Sequence, residues 1–199
     1  MESRAIQHRI YTRYYEWKFG ISTRGCIQPQ DLGLENHDAM GYSALEYQYL
    51  KWVFPLIPFD PTEVVFVDYG AGKGRALAVA STHPFREVIG VEISEHLAQI
   101  ASGNLARVKH RRAGQVEVHC CNAAVFPVPA DANVFFFFNP FAGETLTEVI
   151  DRIYQSWLSY PRALFVIFFN HAEFESRVPS HQWLRKVYES SFCGLYRTV

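Results

Sequence analysis

From about residue 64 onward, apolar runs of strand length alternate with segments that have a helical period. The apolar runs are rich in β-branched and aromatic residues, as buried strands are, and they occupy residues 64–70, 87–94, 115–120, 133–138 and 162–170. These runs are apolar throughout and do not alternate with polar positions. Such strands fit a parallel sheet that is covered on both faces by helices.

The segments between these runs predict the covering helices. Helices are expected over 74–83, 95–108 and 143–158. In the segment 143–158, apolar residues recur every three or four positions. Residues 121–132 contain two prolines and predict a loop crossover without a helix. Two final segments, 182–190 and 193–199, predict a C-terminal hairpin.

The first sixty residues have a different pattern. Residues 3–20 predict an amphipathic helix, 21–41 a loop, and 42–54 a second helix that ends at Pro55. A chain of 199 residues is long enough for one domain with a sizeable core. We therefore expect residues 1–60 to be a helical N-terminal extension packed on a core domain formed by 61–199.

Composition adds bounds on the partners. The formal net charge is −1, so the chain as a whole is not an electrostatic binder of nucleic acid, and nucleic acid is not expected as a partner. The charge is nevertheless uneven, because residues 1–24 carry five Arg and Lys against two Glu. No apolar run approaches the ~20 residues that span a bilayer, so no membrane association is expected.

The cysteines and histidines bear on redox state and metals. No C-x-x-C pair occurs among Cys26, Cys120, Cys121 and Cys193, which predicts free thiols in a reducing cytoplasm. The eight histidines are scattered, so no metal site is predicted.

A glycine-rich loop follows the first predicted strand. In "VDYGAGKGRA", glycines stand at positions 70, 72 and 74, where the backbone must turn sharply and let a cofactor approach. A dinucleotide fingerprint would need a third glycine where Arg75 stands. Asp68 would repel a pyrophosphate, whereas it would attract a cofactor that bears an amine or sulfonium cation.

This D-x-G-x-G-x-G loop, followed by an acidic residue that ends the second strand, resembles the class I, seven-stranded Rossmann-like methyltransferases that use S-adenosylmethionine. The resemblance covers roughly residues 60–199. It implies an α/β fold with a doubly wound, mostly parallel seven-stranded sheet, an antiparallel C-terminal hairpin strand and S-adenosylmethionine as cofactor.

The resemblance also implies which residues hold the cofactor. The implied contacts are Asp68, Tyr69, Gly70, Ala71, Gly72 and Gly74 in the loop, Glu92 and Ile93 at the ribose, Asn122 and Ala123 at the adenine, and Asn139 near the methyl group. Structural readings stay open, since Asp68 could form a turn, Glu92 could end a solvated strand, and Asn122 could be an ordinary loop residue.

The acceptor side is predicted at the end of the fourth strand, in "VFFFFNPF". Asn139, Pro140 and Phe141 resemble the [D/N]-P-P-[Y/F] motif of methyltransferases that act on amino or amide nitrogens, although Phe141 replaces the second proline. The alternative is a simple turn that ends a strand. After the fifth strand, His171 is a candidate general base or a structural histidine.

Two further segments have open interpretations. The basic and aromatic residues of 9–25 form either a substrate-binding lid or an amphipathic helix with a solvated basic face. Tyr42 or Ser43 is expected near the methionine end of the cofactor, by likeness to methyltransferases in which the preceding segment closes over the site. The basic cluster 107–112 is interpreted as a solvated surface.

The sequence therefore predicts an S-adenosylmethionine-dependent methyltransferase acting on a nitrogen of a protein or small-molecule acceptor. The alternatives are a non-catalytic S-adenosylmethionine-binding protein or partner subunit, and an NAD-dependent oxidoreductase on the same sheet. No feature of the sequence indicates an oligomeric state.

Overall fold

A computed structural model describes residues 2–34, 38–169, 174 and 183–199, with side chains described from residue 9 onward. Seven strands form one sheet in the order β3-β2-β1-β4-β5-β7-β6. Their bounds are β1 Val65–Tyr69, β2 Glu87–Glu92, β3 Gln115–Cys120, β4 Val134–Phe138, β5 Phe165–Phe169, β6 Leu184–Glu189 and β7 Cys193–Thr198. The first five strands are parallel, while β7 pairs antiparallel with β5 and with β6.

Helices cover both faces of this sheet, as a sheet that is buried on both faces requires. Their bounds are α1 Glu2–Phe19, α2 Tyr47–Val53, α3 Arg75–Ala80, α4 Glu95–Leu105 and α5 Gly143–Ser159. The predicted doubly wound, mostly parallel sheet with an antiparallel C-terminal hairpin is therefore confirmed. The crossover between β3 and β4 has only a 3₁₀ turn, Ala123–Val125, as its two prolines predicted.

The strand order reverses between β1 and β4, which are paired side by side in the centre of the sheet. In open α/β sheets, ligands bind at the carboxyl ends of the strands beside this switch point. The four phenylalanines of β4 fill the core on both faces. Phe136 packs with one apolar cluster and Phe135 and Phe137 with the other, so β4 delivers Asn139 to the switch point.

Two local predictions differ from the structure. The second helix begins at Tyr47 instead of residue 42, because Tyr42 exchanges backbone hydrogen bonds with Ile27 in an isolated antiparallel bridge. Strand β3 is partly exposed along its length, although it was expected to be buried on both faces. It lies at one edge of the sheet, where half of its surroundings are solvent.

Aromatic stacking joins the N-terminal extension to the core. The Tyr15 ring stacks on Tyr47 at 5.1 Å between centroids, and Phe19 stacks on Tyr47 at 5.9 Å. Both α1 residues belong to the same buried cluster as Phe66 of β1 and Phe136 of β4. The extension therefore covers apolar surface that the sheet and α3 would otherwise expose.

Three further findings concern residues within the described ranges. The four cysteines are free thiols. In the part of the chain that the structure describes, no helix is long and apolar enough to cross a membrane. Among the same residues, no group of three His, Cys, Asp or Glu side chains is placed to hold a metal ion.

Candidate cofactor and acceptor site

The glycine loop leaves β1 and is fixed to the end of β2. The backbone N–H groups of Gly70 and Ala71 both donate to the Val91 carbonyl, at 2.8 and 3.0 Å. Gly70, Gly72 and Gly74 have φ values of 75°, 55° and 80°, a region that side chains with a Cβ rarely adopt. The loop can turn this sharply into α3 only because glycine stands at these positions.

Two of these glycines also allow close packing with other parts of the site. A Cβ at Gly70 would overlap the ring of Pro140, and one at Gly72 would lie 2.5 Å from the Tyr42 ring. Real Cβ atoms do not approach heavy atoms so closely. The glycine loop is therefore in direct contact with the predicted acceptor motif on one side and with the N-terminal extension on the other.

Glu92, the last residue of β2, ties the loop to the next helix. One carboxylate oxygen accepts a hydrogen bond from the Gly72 N–H at 2.7 Å, and the other accepts from the Ser94 N–H at 2.9 Å. An ionised carboxylate has about four lone-pair sites. Glu92 therefore keeps capacity to accept hydrogen bonds from ligand hydroxyls, and its position beside the loop does not fit the reading of a solvated strand end.

Asp68 is the most electrostatically unusual group of the site. Its side chain is 3% exposed, and burial, with a smaller contribution from Glu92, raises the pKa of Asp68 to about 8. Burial also raises the pKa of Glu92, although hydrogen bonds from backbone N–H groups oppose that shift. Two buried carboxylates close together are expensive to ionise, and a cationic ligand would lower that cost.

A cleft opens beside these groups and encloses about 690 Å³ of empty space, including its open mouth. The cleft is bordered by the glycine loop, by the carboxyl ends of β2, β3 and β4, and by the segment 38–43, which we call the covering segment. Predicted site residues that line it are Gly70, Gly72, Glu92, Ile93, Asn122, Ala123, Asn139, Pro140 and Phe141, together with Tyr42 and Ser43.

Asn122 has a local role in addition to its place in the cleft. Its side-chain oxygen accepts a hydrogen bond from the Ala124 N–H at 2.9 Å and caps the short 3₁₀ turn. This bond supports part of the ordinary loop reading. The side-chain NH₂ and the Ala123 N–H remain for a ligand on the side of the cleft that Leu97 and Cys121 also line, whereas the Ala123 carbonyl accepts from the Phe126 N–H.

Asn139 stands at the opposite side of the cleft in a strained conformation. Its φ is 44°, the left-handed region that Asn tolerates better than most residues. Its side chain has no hydrogen-bond partner among the residues that the structure describes. A positive φ at a strand end beside a cleft is typical of functional sites, and the free amide could bind a polar group of a substrate.

The other two residues of the acceptor motif are more constrained. The Pro140 carbonyl already accepts a hydrogen bond from the Met40 N–H at 3.3 Å. The Phe141 ring is largely buried and packs edge-on against Phe137, and its backbone pairs with Ala39. Phe141 is therefore held in the core, and stacking on a planar substrate would require it to move.

The remaining predicted residues contribute through the backbone or cannot be placed. The Tyr69 ring is buried and stacks on Phe137 at 5.1 Å, on the sheet face occupied by α5. Only its backbone is near the loop. Asp68, Ala71 and Gly72 border a smaller cavity next to the main cleft, and Gly74 packs on Ala101 of α4. His171 lies outside the described residues.

The sequence analysis missed a buried polar network that fixes the N-terminal extension to α3. The guanidinium of Arg75 donates to Thr23 Oγ1 at 2.7 Å and to the Leu45 carbonyl at 3.0 Å, and lies over the Tyr47 ring. Glu16 lies 3.7 Å from Arg75 and accepts from the Thr23 N–H at 2.6 Å. Arg75, which replaces the third glycine of a dinucleotide fingerprint, thus fixes the N-terminal extension to α3.

A second missed contact holds the covering segment on its other side. A carboxylate oxygen of Asp38 accepts from the Thr145 N–H at 2.9 Å, in the first turn of α5, and the Asp38 carbonyl accepts from Ala142. An acidic group at a helix N-terminus is favourable. The sequence separation of 107 residues explains why no local pattern could reveal this cap.

These features define the class of the fold. A β3-β2-β1-β4-β5-β7-β6 sheet with a glycine loop after β1 is the arrangement of the class I methyltransferases, so the resemblance in fold is confirmed. Neither a protein-family profile nor a curated protein sequence matches this chain. Solved structures do match this chain.

An RNA methyltransferase from Salinibacter ruber in complex with S-adenosyl-L-homocysteine is similar at a TM-score of 0.51 and 19% identity, over 78% of this chain and 92% of that chain. An rRNA methylase from Streptococcus thermophilus matches with a TM-score of 0.51 and 15% identity, over 79% of this chain and 99% of that chain. Precorrin 8w decarboxylase from Methanobacterium thermoautotrophicum matches with a TM-score of 0.53 and 13% identity, over 79% of this chain and 92% of that chain. At these identities the likeness concerns the fold.

One prediction has to be corrected. Nucleic acid was not expected as a partner, but two of the structures that share this fold are RNA methyltransferases, so that exclusion is wrong. It relied on the net charge of the whole chain, whereas recognition of nucleic acid depends on how charge is distributed over the surface. A chain of net charge −1 can still present a strongly basic face.

Proposed function

We propose that the protein is an S-adenosylmethionine-dependent methyltransferase that transfers a methyl group to a nitrogen of an RNA acceptor. The observation that carries the cofactor assignment is the pair of buried carboxylates, Asp68 and Glu92, at the two sides of the glycine loop. Glu92 has capacity left for the ribose hydroxyls. Asp68 would be neutral in the empty protein and would ionise beside the amine or sulfonium cation of the cofactor.

The acceptor side of the proposal is supported by Asn139. Its amide borders the same cleft and has no partner in the described residues, so its oxygen can accept a hydrogen bond from an amino or amide nitrogen. That bond would hold the nitrogen lone pair toward the methyl carbon. The cofactor supplies the activation when it is bound, and the residues of this chain contribute positioning and exclusion of water.

The covering segment has a defined part in this function. Tyr42 packs against Gly72, and Met40 and Ala39 pair with the acceptor motif. The same short segment therefore contacts both the cofactor loop and the strand end that receives the substrate. Closing the cleft on this side would keep water from the sulfonium and strengthen the electrostatic contacts inside.

The experiment is methyl transfer from tritiated S-adenosylmethionine to RNA and to protein fractions of a cell extract, followed by nucleoside digestion. We expect tritium in an N-methylated nucleoside, and an Asn139→Ala variant that transfers at least about ten-fold more slowly at saturating S-adenosylmethionine. Label in protein alone would contradict the RNA acceptor. Tight cofactor binding without transfer to any fraction would favour the non-catalytic alternative.

A further inference from the structure

Two basic segments that are far apart in sequence meet on one surface. The Lys109 N–H donates to the Phe19 carbonyl at 3.0 Å, which brings residues 107–112 beside the C-terminal end of α1. Residues 9–24 carry a formal charge of +3 and residues 107–112 of +4, in a chain whose net charge is −1. The two basic clusters of the sequence therefore lie side by side at the C-terminal end of α1.

A shallow groove runs between these two segments. We call it the basic groove, and its lining residues are Arg13, Glu16, Trp17, Gly20, Ile21, Arg24 and Lys109. Its only carboxylate among these residues, Glu16, is 5% exposed and paired with Arg24 at 2.7 Å. Glu16 thus offsets one of the three cations of the groove, Arg13, Arg24 and Lys109, and a net charge of +2 faces a ligand.

An aromatic ring lies in the same groove and faces solvent. Trp17 is 71% exposed, and the ammonium of Lys109 lies 5.7 Å from its ring centroid. Nearby on α1, Tyr14 is 51% exposed. A positively charged groove that carries an exposed aromatic ring is typical of surfaces that bind single-stranded nucleic acid.

The basic groove also connects with the cofactor cleft through a short series of contacts. The Lys73 ammonium, within the glycine loop, lies 4.8 Å from the Tyr42 ring and donates to the Arg24 carbonyl at 2.8 Å. Tyr42 lines the cleft, and Arg24 lines the groove. A strand bound in the groove would therefore lie along a surface that leads to the methyl-transfer site.

The geometry points to the basic groove as the docking surface for a single-stranded segment of the RNA acceptor, with phosphates on Arg13, Arg24 and Lys109 and a base stacked on Trp17. This inference rests on the proposed function and adds to it the position of the substrate. An anionic membrane is the competing partner for a basic, aromatic helix. The groove favours RNA, because Arg13 and Lys109 bring its cations from two separate segments and its contacts lead to the cleft that an acceptor must enter.

The test uses the full chain and a fluorescein-labelled single-stranded RNA of about 16 nucleotides, with binding followed by anisotropy between about 50 and 200 mM salt. Removing two cations in an Arg13→Ala, Lys109→Ala double variant should weaken binding about ten-fold and flatten the log–log salt slope by about 1.4, at roughly 0.7 per phosphate contact. The matched control is Arg152→Ala with Arg185→Ala, which removes two exposed arginines from α5 and β6 and should change neither quantity.

A second pair of variants tests stacking. Trp17→Ala should weaken RNA binding between about five-fold and a hundred-fold, as loss of one base–aromatic stack does, while Trp17→Phe should stay within about three-fold. RNA should also quench tryptophan emission in the wild type and not in Trp17→Phe. Affinity for S-adenosylhomocysteine should be unchanged in all of these variants, because none of the altered residues lines the cleft.

Three results would overturn this inference. The first is a wild type that binds S-adenosylhomocysteine but not the RNA. The second is equal weakening by the groove variants and the control pair. The third is tighter binding to vesicles that contain phosphatidylserine than to RNA. Each leaves the cofactor assignment standing, whereas loss of S-adenosylhomocysteine binding in the wild type would refute the proposed function itself.

Discussion

The buried carboxylate of Asp68 makes a specific prediction about stability and pH. In the folded, cofactor-free protein its pKa is raised from an ordinary 3.8 to about 8, mainly by burial. Between these two values the folded state holds a proton on Asp68 that the unfolded chain releases. The stabilisation that this proton gives is fully present below about pH 4 and is lost as pH rises toward 8.

The size of the effect follows from one proton. A difference of one bound proton changes the free energy of unfolding by about 1.36 kcal/mol per pH unit. Between pH 5 and pH 7, the wild type should therefore lose about 2.7 kcal/mol relative to an Asp68→Asn variant, which cannot titrate there. The absolute stability of the variant does not matter, because the prediction concerns the difference between two slopes.

The assay is urea unfolding at several pH values between 5 and 7 without cofactor. Asp60→Asn is the matched control, because Asp60 is exposed and hydrogen bonds from Thr62 lower its pKa, so it titrates below this range. Its slope should equal that of the wild type. Parallel curves for the wild type and Asp68→Asn would refute the claim that Asp68 is protonated in the empty site.

Four more outcomes are expected. S-adenosylhomocysteine should bind the wild type more tightly at pH 8 than at pH 6, by up to about fifty-fold if only ionised Asp68 binds; calorimetry on Asp68→Asn should show a flatter profile. Glu92→Gln should weaken that binding at least about ten-fold, because an NH₂ would face the Gly72 or Ser94 N–H. Gly70→Ala should abolish binding, since its Cβ would overlap Pro140. Arg75→Ala should lower the free energy of unfolding, measured by urea unfolding, by about 3 kcal/mol, because the buried groups that Arg75 binds lose their partner.

The fold was largely readable from local patterns. Continuous apolar strands such as Val134–Phe138 and the two-proline crossover are short-range features, and the structure has both. The glycine loop was readable for the same reason, because the turn needs glycine at 70, 72 and 74 whatever surrounds it. The class I methyltransferase fold follows from these features and their order.

The contacts that hold the N-terminal extension and the covering segment in place could not be predicted in the same way. Arg75 was noted only as a missing glycine, and nothing in its neighbourhood shows that it binds Thr23, 52 residues away. The Asp38 cap on α5 and the meeting of Phe19 with Lys109 are equally distant pairings. The exclusion of nucleic acid failed for this reason too, because net charge is a property of the chain and a basic face is a property of the fold.

The acceptor motif is an intermediate case. The sequence placed Asn139 at the active edge of the sheet, and the structure shows its amide at the cleft with a positive φ. The sequence did not show that Met40 would already donate to the Pro140 carbonyl, or that Phe141 would be buried against Phe137. The first contact depends on the covering segment, which approaches from more than ninety residues away.

The central claim is that the glycine loop with Asp68 and Glu92 binds S-adenosylmethionine. Calorimetric titration of S-adenosylhomocysteine into the folded wild type at pH 8, beside Asp68→Ala and Glu92→Ala, tests it directly. We predict one site per chain and at least about ten-fold weaker binding in each variant. No detectable binding by the wild type at millimolar ligand, or unchanged affinity in both variants, would contradict the claim.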